Sequence, residues 1–134
     1  MRRMIFLFCF LVIVVSAQAS ELIKSRVLTN QTIATAATVN TTGMRTKRLA
    51  IDSGAGMLVT LGRGNINITQ QCSMDNSNWF TPSMTNGTAL GSVYSGLNAS
   101  KYIQFTPVAA PYARFQVKAS DESIVMVDMV TAEE

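Results

Sequence analysis

Strict alternation of apolar and polar side chains runs through this chain and leaves few folds open to it. In "YARFQVK", residues 112–118, Ala113, Phe115 and Val117 fall on one parity. Tyr112, Arg114, Gln116 and Lys118 fall on the other. "NINITQQCSM", residues 65–74, repeats the pattern with Ile66, Ile68, Cys72 and Met74 on its apolar side. Successive side chains of an extended strand point to opposite faces, so this is the mark of a strand with one face buried. "KYIQF" offers Ile103 and Phe105 to a core. "SIVMVDMV" is apolar on both parities except at Asp128, which suits a central strand covered on both faces. Further strands are expected at 22–28, 32–40, 57–61 and 89–94. Turn formers separate the runs: "GRGN" at 62–65, which reads as a tight hairpin, then 75–78, 107–111 and 120–122. No window sustains a helical apolar stripe. About eight short strands at regular spacing predict an all-β chain folded as a single β-sandwich of the jelly-roll kind.

An export signal precedes the sandwich. Arg2 and Arg3 are followed by an unbroken apolar run at 5–15, then by Ser16-Ala17-Gln18-Ala19, the small-x-small pattern of a processing site. The run is shorter than the ~20 residues that span a bilayer, so no permanent membrane span is expected after cleavage. An uncleaved N-terminal anchor is the alternative reading. Cys9 lacks the small-residue lipobox of a lipoprotein. The chain thus divides into a signal peptide at 1–19, a strand-forming or flexible lead-in at 20–45, and a sandwich domain at 46–134 to which the lead-in contributes strands. The lead-in is rich in Thr, Ala and Asn, and its weak alternation also suits an edge that pairs with a neighbouring subunit. The expected destination is the periplasm, the cell surface or the extracellular space.

Removing Arg2 and Arg3 with the leader leaves nine basic and eight acidic residues, a net charge of +1. A near-neutral chain has no electrostatic footprint for nucleic acid. Arg45, Lys47 and Arg48 form one local basic cluster and read as a solvated loop. Cys72 is then the only cysteine, so no internal disulfide staples the domain, and the thiol reads as a small buried hydrophobe. The chain has no histidine. That removes Ser-His-Asp and Cys-His catalysis together with His-containing zinc sites. No cofactor is expected.

"CSMDNSNWF", residues 72–80, puts a strand end, turn formers and the only tryptophan together. Asp75 and Asn76 tolerate turn backbone angles, and Asp or Asn side chains bond amides two residues on. Trp79 starts the return strand and can cover the hairpin's open end. Ser73-x-Asp75-Asn76-x-x-Trp79 resembles the S-x-D-G-x-x-W hairpin of discoidin-like (galactose-binding-like) jelly rolls, with Asn76 where glycine is usual. "KYIQFTPVAAPYARFQVKAS" resembles the paired late strands of such domains, and similar hairpins occur in sandwich modules of phage tails and virions. The chain is short for a discoidin domain, lacks its frequent disulfide, and shows no matching set of ligand loops. The resemblance therefore implies a fold, and the binding candidates Trp79, Asp75, Asn76 and Asn78 rest on their own chemistry: a ring for stacking on sugar, and oxygen donors beside it. Asp75 to Asn78 lack the spacing of a calcium loop.

Asp52-Ser53-Gly54-Ala55 resembles the D-[ST]-G-A of retroviral-type aspartic proteases, but no later apolar-apolar-Gly segment and closing helix accompany it. Gly54-x-Gly56 is a fragment of a dinucleotide loop that continues as strand rather than helix. Five Asn-x-Ser/Thr sequons, at Asn30, Asn40, Asn67, Asn86 and Asn98, follow from the Asn- and Thr-rich composition. The expected function is that of an exported, non-enzymatic structural or surface protein, with itself or surface glycans as partners. Carbohydrate-binding and virion- or tail-associated modules are the alternatives, with a retroviral-type aspartic protease using Asp52 as the remote one. Processing after Ala19 is checked by intact mass of the exported protein: a chain beginning at Ser20 is expected, and full-length mass would establish the anchor instead.

Overall fold

In the computed structural model, which describes residues 22–49 and 54–132, the alternating runs pair into two antiparallel sheets. The expected signal peptide at 1–19, Asp52 and Ser53 lie outside the described residues. The strands are β1 (Leu22–Ile33), β2 (Thr38–Asn40), β3 (Met44–Arg45), β4 (Ala55–Arg63), β5 (Ile66–Ser73), β6 (Ser92–Leu97), β7 (Lys101–Phe105), β8 (Tyr112–Ala119) and β9 (Ser123–Ala132). The first sheet has the order β1-β9-β4-β7 and the second β2-β8-β5-β6, with β3 also on β8. The lead-in thus supplies β1, β2 and β3 to its own sandwich.

β2 and β3 are two pieces of one interrupted edge strand, since Asn40 opposes Gln116 and Met44 opposes Ala113 on the same partner. Thr41 stitches the gap. Its N–H donates to the Phe115 carbonyl at 2.8 Å, and its hydroxyl accepts the Phe115 N–H at 2.9 Å. Counted once, that strand gives eight strands in the double Greek key of a jelly roll, in which the chain passes repeatedly from one sheet to the other.

The inward parity fills the space between the sheets. Met57 and Val59 on β4 and Val125, Val127 and Met129 on β9 face Ile66 and Ile68 on β5 and Phe115 and Val117 on β8, all fully buried. The Phe105 and Phe115 rings, one from each sheet, meet edge to face at 5.4 Å between centroids. Gln70 occupies an inward position beside them and is 1% exposed. Its amide N donates to the Val108 carbonyl at 3.1 Å and its amide O accepts the Val108 N–H at 2.9 Å. A buried polar group is tolerated because both its ends are matched, and the match pins the 106–111 crossover to β5.

Four expectations are corrected. "GRGN" is a turn, with Gly64 at φ 97°, but β4 and β5 belong to different sheets, so it is a crossing rather than a hairpin. It packs on the 120–122 crossing, where the Ser120 N–H donates to the Asn65 carbonyl at 2.8 Å. β9 is central within its sheet, but its outward Ile124, Met126 and Val130 are only half-buried and face solvent among the described residues. Met74 is 77% exposed, because the inward parity of β5 ends at Cys72 and the chain then leaves the sheet. The strand expected at 89–94 is displaced to Ser92–Leu97, since Leu90 bonds back to the Pro82 carbonyl at 2.7 Å and keeps 82–90 in a turn.

The Gln70 clamp has a measurable consequence. Gln70→Leu keeps the volume but leaves Val108 with two unmet backbone groups, so a loss of about 1–3 kcal/mol is expected in urea unfolding. Faster amide exchange confined to 106–111 would accompany it; unchanged stability and exchange would show that the clamp does not hold that crossover.

Candidate functional site

The 73–80 turn is tied to itself by Asp75. Its Oδ1 accepts the N–H groups of Ser77 at 2.9 Å and Asn78 at 2.8 Å and the Ser73 hydroxyl at 2.9 Å. Its Oδ2 accepts the Asn78 side-chain amide at 2.7 Å. A carboxylate offers about four acceptor positions, and here four donors take them. These donors, the Asn78 backbone N–H foremost, hold the carboxyl far below the ordinary carboxylate range. Asn76 sits at φ 60°, a conformation that Asn enters more readily than most residues. Asp75, Asn76 and Asn78 are therefore brought together as turn-makers. Three N–H donors and one hydroxyl occupy the Asp75 carboxylate, the reverse of the free oxygen cage that calcium needs. Among the described residues, no group of three or more His, Cys, Asp or Glu is placed to hold a metal ion.

The turn delivers Trp79 to the outward face of the second sheet. Cys72 and Phe80 exchange backbone hydrogen bonds at 2.8 and 2.9 Å, which closes the turn and points Trp79 away from the core. The ring lies against Gly43, where any side chain would collide with it. The Arg114 guanidinium carbon sits 4.7 Å from the ring centroid, within cation–π range. Arg114 Nε donates to Gln71 Oε1 at 2.8 Å. Trp79 is thus half-buried packing on a polar sheet face, with one of its surfaces committed to arginine. Burial pulls the Arg114 pKa down, and among the described residues no carboxylate pairs with it.

Next to it lies an open groove of about 360 Å³ lined by Arg45, Lys47, Ala110, Pro111 and Tyr112. β3 places Arg45 directly across from Tyr112 on β8, and Tyr112 directly across from Ser73 on β5. Arg48, the third member of the basic cluster, reaches instead toward the Ala132 carbonyl at 3.4 Å. Sequence reasoning set Arg45 and Lys47 aside as a solvated loop and Tyr112 and Arg114 as outward positions. The signal lay in the outward parity of "YARFQVK", where an aromatic and a cation alternate, but only the pairing of β3 with β8 joins it to Arg45.

Cys72 is half-buried, receives the Gln70 amide at 3.6 Å, and has its thiol pushed up by burial, so it is not an activated nucleophile. β4 runs as strand from Ala55, in keeping with the rejection of a phosphate loop at Gly54-x-Gly56. No protein-family model matches the chain, and no curated protein matches its sequence.

The Asp75 cage makes the turn acid-sensitive. A carboxyl held below its unfolded value of 3.8 stabilises the turn fully above that pH, and the contribution is lost as pH falls toward the folded value. Because Trp79 is the only tryptophan, its fluorescence reads the turn directly. A transition below pH ~4 is expected in the native protein. Asp75→Asn should shift the neutral-pH spectrum toward that acid form and flatten the profile; an Asp75→Asn profile identical to the native one would exclude the cage as its cause.

Proposed function

We propose that the chain works as an exported, non-enzymatic structural protein, a jelly-roll subunit of a cell-surface or extracellular assembly. The observation that carries this reading is the outward face of the first sheet. Tyr102 on β7 and Leu58 on β4 stand opposite each other there, 52% and 39% exposed. Met126 and Val130 on β9 continue the apolar surface. Contiguous apolar surface on a soluble domain is a contact surface in waiting. Asp128 lies in the same rows, 2% exposed, and its carboxylate accepts from Arg26 Nε at 2.9 Å. Arg26 holds that carboxyl below its ordinary range in spite of burial, so the one acid among the described residues of this face is already neutralised. Arg26, with Lys24 3.9 Å from the same carboxylate, forms a basic rim along β1.

The route of assembly follows from the same geometry. β1 is an edge strand of twelve residues, but its ladder with β9 shifts register twice, between Arg26 and Leu28 and between Leu28 and Gln31. Bulges and charges of this kind spoil an edge as a template for a further strand. Face contact through Leu58 and Tyr102 therefore supports self-association better than strand addition does. Sedimentation velocity across a hundred-fold range of protein concentration tests the reading. Oligomers that weaken at least ten-fold in Leu58→Lys are expected, whereas a monomer at every concentration would remove it.

A further inference from the structure

A second apolar surface lies open on the 74–91 connection between β5 and β6. Beyond the Asp75 turn, Phe80 pairs with Cys72, so its side chain takes the inward parity of β5, yet it is 65% exposed. The chain then doubles back as a short hairpin in which Ser83 pairs with Ala89. The Leu90 N–H donates to the Pro82 carbonyl at 2.7 Å, and the Met84 N–H to the Thr88 carbonyl at 2.8 Å. Because side chains alternate along both arms, Pro82, Met84 and Leu90 share the face turned away from Ser83 and Ala89. Phe80, two residues before Pro82, continues that parity. Every residue at 83–90 is exposed, so the hairpin stands clear of the sandwich. Asp75 is the only charged residue at 74–91, and its carboxylate is occupied by four donors of its own turn. A projecting hairpin with an apolar side has no task within its own fold.

We propose that the hairpin of one subunit docks on the outward face of the first sheet of a second copy, a reading that rests on assembly through that face and names what the face meets. Tyr102 leans over Gly56, where any side chain would collide with its hydroxyl, and so forms an apolar platform with Leu58 and Val130. Within one subunit the two surfaces cannot meet. The platform is on the outer side of the first sheet, the hairpin leaves β5 in the second, and the core lies between them. Charge favours the unlike pairing. Among the described residues, the outward rows of the first sheet carry Lys24 and Arg26 against Asp128, two cations to one acid, whereas 74–91 carries Asp75 alone. Platform on platform, or hairpin on hairpin, would bring like net charges together. With aromatic side chains burying about 150–250 Å² each, a contact of Phe80, Met84 and Leu90 with Tyr102 and Leu58 covers on the order of 1,000 Å², the lower end for a stable interface. Each contact is therefore weak, and assembly rises with concentration. Because unlike surfaces join, a pair of subunits still has one platform and one hairpin free, and the contact repeats into rings or filaments.

Sedimentation velocity of the purified exported protein and two variants tests the pairing. Leu58→Lys spoils the platform, and Phe80→Ser with Met84→Ser spoils the hairpin; all three positions are exposed. Circular dichroism checks that each variant is folded, and Met84→Lys alone replaces the double variant if the change at Phe80 disturbs the fold. The native protein should grow past dimer as concentration rises, and each variant alone should associate at least ten-fold more weakly. An equimolar mixture of the two should form dimers and nothing larger, because one intact hairpin meets one intact platform. A hairpin variant that assembles like the native protein would overturn the docking while leaving the platform as a self-contact. A mixture that stays monomeric while the native protein grows would overturn it too. A native monomer at every concentration, or a Leu58→Lys variant that assembles normally, would remove assembly through the platform and this docking with it. Flotation with phosphatidylcholine vesicles covers the other occupant: native protein that binds them, and loses binding in the hairpin variant, would assign the hairpin to lipid and overturn the pairing.

Discussion

Every strand in this protein is held in register by one constraint: the side chains of a single parity must meet across the gap between two sheets. Phe115 is the clearest instance. Its ring is fully buried and meets Phe105 from the facing sheet, while its backbone joins β8 to Thr41 at the break between β2 and β3. Slipping β8 by one residue would turn Phe115 and Val117 to solvent and bury Arg114 and Gln116, exchanging apolar burial for unmatched polar groups. With no histidine, no metal-binding cluster among the described residues and no internal disulfide expected, that packing and the hydrogen-bonded ladders are what the domain rests on.

Crossings between the sheets are the second requirement. A jelly roll passes from one sheet to the other at most of its turns, and each passage exposes backbone groups that no ladder satisfies. Local matches take up those groups. The Asn65 carbonyl accepts from Ser120, joining two crossings to each other, and Gln70 holds both polar atoms of Val108. Lys101 bridges an open side of the sandwich, donating to the Tyr94 hydroxyl at 2.9 Å across from β7 to β6.

Alternation made β5, β7 and β8 legible as strands, because each keeps period two over most of its length, and β9 was legible as a continuous apolar run. It did not reveal which strands pair, and that is why "GRGN" read as a hairpin: a turn between two strands has the same composition whether the strands lie side by side or face each other. β1 escaped in part because its two register shifts add residues that break the period, so its polar stretch at 29–31 fell between the strands expected at 22–28 and 32–40. The turn at 73–80 was readable from Asp75 and Asn76, whose roles are local. Its connection to Arg114 was not. That contact spans the chain from residue 79 to residue 114 and exists only because β5 and β8 are neighbours. The groove at Arg45 and Tyr112 was hidden for the same reason, since it needs the β3–β8 pairing to exist.

The two outward faces of the sandwich are free of the packing rule that fixes the inward ones, so their compositions carry information the core does not. On the first sheet the outward rows of β4, β7 and β9 are largely apolar, and the one acid among the described residues there is covered by Arg26. On the second they are polar and cationic, and the one nearby acid in the turn is locked inside its loop. In both cases the acidic group is satisfied from within the fold. The Asp75 turn then has a part in the second face without touching a ligand. By fixing the backbone from Ser73 to Asn78 it holds Trp79 over Arg114, and Trp79 in turn restrains a guanidinium that has no counter-charge among the described residues. The 73–80 turn thus braces the outward face of the second sheet rather than standing clear of it.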